Sequence, residues 1–315
     1  MQIYKTLQAN KEPSAIRSTK RKAIQGSRWQ LLVLGVYLKI AQYVVPKQVA
    51  SIVLRKFCTP RKPVFTDKQR AFIATAEKEV LLYRARSQKE PVEQVIYHWP
   101  GAGPKIAFAH GWNSKTADFR KLIGAFIAEG FDCYAVDAIA HGLSGGSHTA
   151  VPEYADALRM VIEKKGKMEA IIGYSLGGLC SGYMLQELSE QELPRQLTII
   201  AAPSHAGYMF HDLVFKTLKL NKSVYKHLIV QAEAQFGIDI AACDHALNPN
   251  LEKIENRMII HDPADRTVLY NQASRMKTLF PETKLVQAKD MGHNRIIAED
   301  AVVQLLIDEH KHLLR

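Results

Sequence analysis

The sequence predicts an α/β protein: a mostly parallel central sheet with helices on both faces, a small helical cap, and a basic, partly apolar N-terminal helical extension. Three observations predict it. Strand-length apolar runs alternate with helix-length stretches along residues 92–315, the pattern of parallel strands joined by crossover helices. One of these runs ends in Gly-Tyr-Ser-Leu-Gly-Gly at 173–178, the spacing of a very sharp strand-to-helix turn. Between the runs near 202 and 256 lie about fifty residues, more than an ordinary connection in a compact domain needs.

Residues 1–65 form the extension. Through residue 70 there are 15 Lys and Arg against Glu12 and Asp67 alone, while residues 71–315 carry 27 against 29, so the whole basic excess is N-terminal. The apolar stretch from Trp29 to Val45 is interrupted by Lys39 and ended by Pro46, and it falls short of the roughly 20 apolar residues that span a bilayer. Its first reading is a set of helices over 29–57 packed on the protein body behind a solvated leader at 1–28. The second is an interfacial membrane helix, with Trp29, Tyr37 and Tyr43 following Lys20, Arg21, Lys22 and Arg28. A signal anchor is the third, opposed by the late start and by Lys39. The charge comes with no nucleic-acid motif, so no nucleic-acid partner is expected.

Pro60 and Pro63 mark the junction with the main domain, 66–203 plus 251–315, for which 47% apolar residues across the chain supply an ample core. Residues 92–99 read as an antiparallel strand entering through the loop at 100–104. The remaining strands are 105–110, 132–137, 168–174, 197–202, 257–262 and 284–288, and the helices between them 115–129, 151–165, 177–188, 271–280 and 300–314. Residues 204–250 form the cap, two or three helices carrying Tyr208, Met209, Phe210, Leu213 and Phe236. Cys58, Cys133, Cys180 and Cys243 show no disulfide framework spacing, which predicts reduced thiols in a cytoplasmic protein. The interfacial reading adds association with the inner face of the membrane. No metal-ligand spacing occurs, and neither metal nor cofactor is expected.

The chemistry starts at Ser175. A serine hydroxyl is a poor nucleophile at neutral pH unless a base, itself oriented by an acid, takes its proton. Downstream, the strand Met258-Ile259-Ile260 runs into His261-Asp262-Pro263-Ala264-Asp265, and the strand near 284–288 runs into Met291-Gly292-His293. Acid and base thus follow the serine in the order Ser, Asp, His, each just past a strand's carboxyl end. Upstream, Phe108-Ala109-His110-Gly111-Trp112 ends one strand, and Asp137-Ala138-Ile139-Ala140-His141-Gly142-Leu143-Ser144 follows the next.

Together these four motifs resemble the α/β-hydrolase superfamily over residues 92–315, in the manner of capped serine esterases and lipases. The resemblance implies Ser175 as nucleophile, His293 as general base and acid, and Asp265 as its orienting acid. It also implies the backbone N–H groups of Trp112 and Leu176 as an oxyanion hole, and a carboxylic ester as small-molecule substrate. Two departures stand out. Asp262 occupies the position where the family usually has Gly, so it competes with Asp265, which the spacing to Val268 favours; and Ala140 replaces a usual Gly. The single Gly after His110 favours compact acyl groups or primary and secondary alcohol esters, by analogy alone. His110, Tyr174, Tyr208 and Phe210 are the candidate pocket residues, although His110 and His141 also read as structural members of their loops. Thioester, amide or carbon–carbon bond hydrolysis could use the same residues. A catalytically silent scaffold binding membrane or a partner is the non-enzymatic alternative.

Overall fold

The computed structural model describes residues 28–88 and 90–314; residues 1–27 of the expected basic leader lie outside the described residues. In chain order the elements are α1 (Arg28–Ala41), α2 (Pro46–Phe57), α3 (Asp67–Ala74), β1 (Glu77–Tyr83), β2 (Val92–Trp99), β3 (Lys105–Ala109), α4 (Arg120–Ala128), β4 (Asp132–Val136), α5 (Val151–Lys165), β5 (Ala170–Tyr174) and α6 (Leu176–Met184). They continue with β6 (Gln196–Ile200), α7 (Ala206–His211), α8 (Lys222–Phe236), β7 (Asn256–His261), α9 (Asn271–Leu279), β8 (Lys284–Gln287), α10 (Gly292–Arg295) and α11 (Asp300–His310).

The strands form one eight-stranded sheet ordered β1-β2-β4-β3-β5-β6-β7-β8. β2 runs antiparallel to both β1 and β4, and the pairs from β4 to β8 are parallel. Every residue of β4, β5 and β6 is buried, because helices cover both faces and neither alternate set of side chains meets water. The pleat divides the core accordingly. Ala107 and Ala109 face a layer containing Leu158 of α5 and Leu179 of α6. Ile106 and Phe108 face Phe126 of α4 and Leu306 of α11. β1 was not expected from the sequence: its charged start, Glu77-Lys78-Glu79, hides a strand signal, yet charges are what an edge strand carries to discourage further pairing.

Between β6 and β7 the chain leaves the sheet to form α7, a π-turn at Asp212–Thr217, α8 and two 3₁₀ turns. The N-terminal helices dock on this insertion. α2 buries Val49, Ala50, Val53 and Leu54 on one face, and a fully buried aliphatic side chain is worth about 1.5–3 kcal/mol relative to leaving it in water. Polar ties fix the register: Ser51 Oγ donates to Gln231 Oε1 at 2.7 Å, and Asn221 N–H donates to Gln42 Oε1 at 2.7 Å. Arg275 closes the far end of the insertion onto the core, with two 2.8 Å bonds to the Asp244 carboxylate.

Candidate active site

The chemistry-bearing residues gather at the carboxyl ends of β3, β5, β7 and β8, where parallel sheets present their loops. Ser175 is the single residue between β5 and α6, at φ 51°, ψ −121°. Such a backbone costs a non-glycine residue on the order of 1–3 kcal/mol. Its N–H is held by Ile200 O of neighbouring β6 at 2.8 Å. The flanking glycines are demanded by close approach: a Cβ on Gly173 would stand 2.6 Å from Gly178 Cα, and one on Gly177 2.3 Å from Ala109 O. The turn therefore packs directly against the end of β3.

His293 is the second residue of α10, beyond β8. Its Nε2 lies 3.0 Å from Ser175 Oγ and its Nδ1 2.7 Å from Asp265 Oδ2. An ionised carboxylate only accepts, so Nδ1 carries the proton and Nε2 is left to accept from the serine hydroxyl. The other oxygen of Asp265 accepts from Thr267 N–H at 2.7 Å and Val268 N–H at 3.0 Å. Burial pushes this carboxyl up, but the bond from His293, its charge and those two N–H groups outweigh burial and hold it below the usual carboxylate range. Tyr174 OH donates to His293 O at 3.1 Å, with its ring 5.2 Å from the imidazole.

Asp262 takes a different place. Its Oδ2 accepts from Met291 N–H at 2.7 Å and Gly292 N–H at 2.5 Å, and its Oδ1 from Ala264 N–H at 2.8 Å. It thus ties the acid-bearing turn to the loop that delivers His293, and of the two competing aspartates only Asp265 meets the imidazole. These N–H donors overcome desolvation and hold the Asp262 carboxyl below its ordinary value.

The loop after β3 is set by two imidazoles. His110 Nε2 accepts from Ala138 N–H at 3.0 Å and Nδ1 donates to Gly111 O at 2.8 Å; His141 Nε2 accepts from Asn113 N–H at 3.1 Å. Burial depresses both, His141 to about 3, so each stays neutral and can serve as acceptor. The loop runs close over the serine: a Cβ on Gly111 would be 3.1 Å from Ser175 Cβ. Ala140, in place of the usual Gly, adopts φ 64°, the left-handed region that glycine enters without strain.

Beside Trp112 and Leu176 lies an almost wholly apolar cavity of about 40 Å³, closed by Met209, Phe210 and Phe236 of the insertion and by Phe57 at the end of α2. The Phe57 ring sits 5.3 Å from Phe210 and 6.2 Å from Trp112. Of the four side chains expected to line a pocket, Phe210 is in this wall. His110 and Tyr174 are occupied beneath the loop and the imidazole, and Tyr208 OH accepts from Leu269 N–H at 3.2 Å. Phe57 and Cys58 went unrecognised in the sequence, and Phe236 was read only as a member of the cap. Nothing local marks them, because they come from segments distant from every motif. Among the described residues no three His, Cys, Asp or Glu side chains cluster as metal ligands would.

A doubly covered parallel sheet with a strained serine turn, and an imidazole and carboxylate delivered from later strand ends, defines an α/β-hydrolase. Residues 102–291, more than half of the chain, match the family described as serine aminopeptidase, S33, and the chain belongs to that family. Among curated proteins it is similar to a pimeloyl-[acyl-carrier protein] methyl ester esterase of Vibrio atlanticus (strain LGP32), 24% identical over 115 residues. A bifunctional esterase/perhydrolase of Acinetobacter calcoaceticus is 30% identical over 120 residues. Each match covers 36% of this chain and 43% of the relative. Solved structures with the same fold include Est1E from Butyrivibrio proteoclasticus bound to ferulic acid, with TM-score 0.54, 15% identity and coverage of 70% of this chain and 94% of that one. Another is a bacterial membrane phospholipase A, with TM-score 0.53, 15% identity and coverage of 90% and 97%.

Proposed function

We propose that this α/β-hydrolase cleaves carboxylic esters through an acyl-enzyme on Ser175. The observation that carries the reading is His293 bridging Ser175 Oγ and the Asp265 carboxylate at 3.0 and 2.7 Å, beside an apolar cavity walled by Trp112 and Leu176. The Ser175 hydroxyl attacks the acyl carbon as His293 Nε2 takes its proton, and the alkoxide leaves with that proton returned by the imidazolium. The oxyanion of each tetrahedral intermediate is received by the N–H groups of Leu176 and Trp112, each typically worth about 3 kcal/mol of barrier. Leu176 opens α6, whose positive end faces the same charge. Water then repeats the sequence on the acyl-enzyme and frees the acid. The insertion and Phe57 act as the cap that keeps bulk water from the acyl group. The four free, buried cysteines support a cytoplasmic setting.

The family description and the apolar cavity pull in different directions on substrate class. An aminopeptidase must hold a cationic amino group, and a cavity lined by Phe57, Trp112, Phe210 and Phe236 offers no carboxylate for it. A cavity of about 40 Å³ has space for only a water or two, which points to a short acyl chain. Rates on p-nitrophenyl esters from acetate to dodecanoate, beside leucine p-nitroanilide, test this. Turnover should be confined to esters, highest for the shortest chains and lost in Ser175→Ala; cleavage of the anilide without ester turnover would overturn the reading.

A further inference from the structure

Helix α1 carries two apolar faces and packs only one. Leu34, Leu38 and Ala41 turn inward on the protein. Trp29, Leu32, Val33, Val36, Tyr37 and Ile40 recur at helical spacing on the opposite side and are all exposed, Trp29 at 76% and Ile40 at 66%. Tyr43 and Val44 continue the stripe past the helix end at 78% and 77%. A monomeric soluble protein rarely leaves so continuous an apolar stripe uncovered.

The charge around the stripe selects what covers it. Residues 28–62 contain Arg28, Lys39, Lys47, Arg55, Lys56, Arg61 and Lys62 and no Asp or Glu. The first helices of the insertion add exposed Lys216, Lys219, Lys222 and Lys226 against Asp212 and Glu233. Residues 1–27 carry six more Lys and Arg against Glu12. A second copy of this chain would bring an equally basic face to the contact and be repelled. An anionic bilayer is complementary both to the charge and, through its headgroup boundary, to a stripe whose aromatic members, Trp29, Tyr37 and Tyr43, suit that boundary. α1 is 14 residues long, and among the described residues no helix is long and apolar enough to cross a membrane; the face lies on a bilayer rather than spanning it.

The same helix walls a groove toward the serine. Leu34 and Leu38 of α1, Phe57 of α2 and Leu213 and Leu218 of the insertion border an opening of about 340 Å³ that reaches Trp112, and Trp112 and Phe57 are shared with the apolar cavity lined by Leu176, the residue after Ser175. We propose that the outward face of α1, flanked by its basic surroundings, docks the protein on anionic lipid surfaces and thereby opens this groove toward the bilayer. The docking stands independently of the ester-hydrolase reading; the role of the groove as an entry path rests on it.

Sedimentation of the full chain with vesicles of phosphatidylcholine containing about one third phosphatidylglycerol, beside pure phosphatidylcholine vesicles, tests the docking. Wild type should pellet with the anionic vesicles and little with the neutral ones, and Val33→Glu/Ile40→Glu should lower partitioning by about tenfold or more. Both substituted side chains are exposed and border neither cavity nor groove, so the thermal melt should be unchanged, which separates lost docking from lost folding. No turnover is required, so failure here and failure of ester hydrolysis are distinguishable. The proposal is overturned if wild type does not pellet. It is equally overturned if the double variant pellets like wild type, leaving basic charge alone responsible, or if wild type is a dimer that the substitutions dissociate without lipid.

Discussion

At Asp265 the chemistry turns on one acceptor atom. Asp265→Asn would present an amide N–H to His293 Nδ1, force the proton onto Nε2, and leave no acceptor for the Ser175 hydroxyl at 3.0 Å. The expected result is a fall in kcat of about 10⁴ with the fold retained, the size of loss that the wrong tautomer causes in a serine protease. Asp262→Asn should act differently, through position. An amide can supply an acceptor on one side only, so it forfeits either the two N–H bonds that hold Met291 and Gly292 or the one from Ala264. Displacing the His293 loop by a fraction of an ångström should lower kcat by about ten- to a hundredfold, with a lower melting temperature and no change in the chain-length profile, readable in steady-state kinetics. The juxtaposition of Ser175, Asp265 and His293 was legible in sequence because each lies within a few residues of the carboxyl end of an apolar strand run, and local spacing carries that information. The role of Asp262 was not, since its partners lie 29 and 30 residues away and are backbone groups.

At the scale of elements, the parallel strands and the helices between them were readable because buried strands are continuous apolar runs and α5 and α9 keep a helical period. β1 was not, as an edge strand with charges needs its neighbour to define it. The apolar cavity belongs to this scale, because its wall is assembled from α2, the loop after β3, α6 and the insertion, and no one segment encodes it. Phe210→Ala removes an aromatic ring between Phe57 and the cavity and should move the optimum from the shortest p-nitrophenyl esters toward medium chains, at a stability cost below the roughly 3–5 kcal/mol of a core Phe→Ala. An unchanged chain-length profile would place the acyl group elsewhere. Of the three readings the sequence left open for the N-terminal extension, helices packed on the body describe α2, whose contacts with α8 and whose Phe57 make it a wall of the cavity, which charge counting alone could not reveal.

For the whole molecule, the buried histidines set the response to acid. Burial depresses His245 and His310 to about 4 and His141 to about 3, whereas an unfolded histidine titrates near 6.5. A group with a depressed folded value contributes stability that is complete above about pH 6.5 and is lost as the pH falls toward the folded value. Each of the three should therefore cost about 1.4 kcal/mol per pH unit between roughly 6 and 4. Asp262 and Asp265, also held low, add their losses only below about pH 4. Denaturant melts at stepped pH check this, and His310→Gln should reduce the slope by about one proton. The central claim is the activated hydroxyl of Ser175, and the most direct measurement is the intact mass and peptide map of the protein after a fluorophosphonate. One adduct per chain is expected, on Ser175, absent in Ser175→Ala and slowed in Asp265→Asn. A folded wild type that stays unmodified, or carries its adduct on another residue, would contradict it.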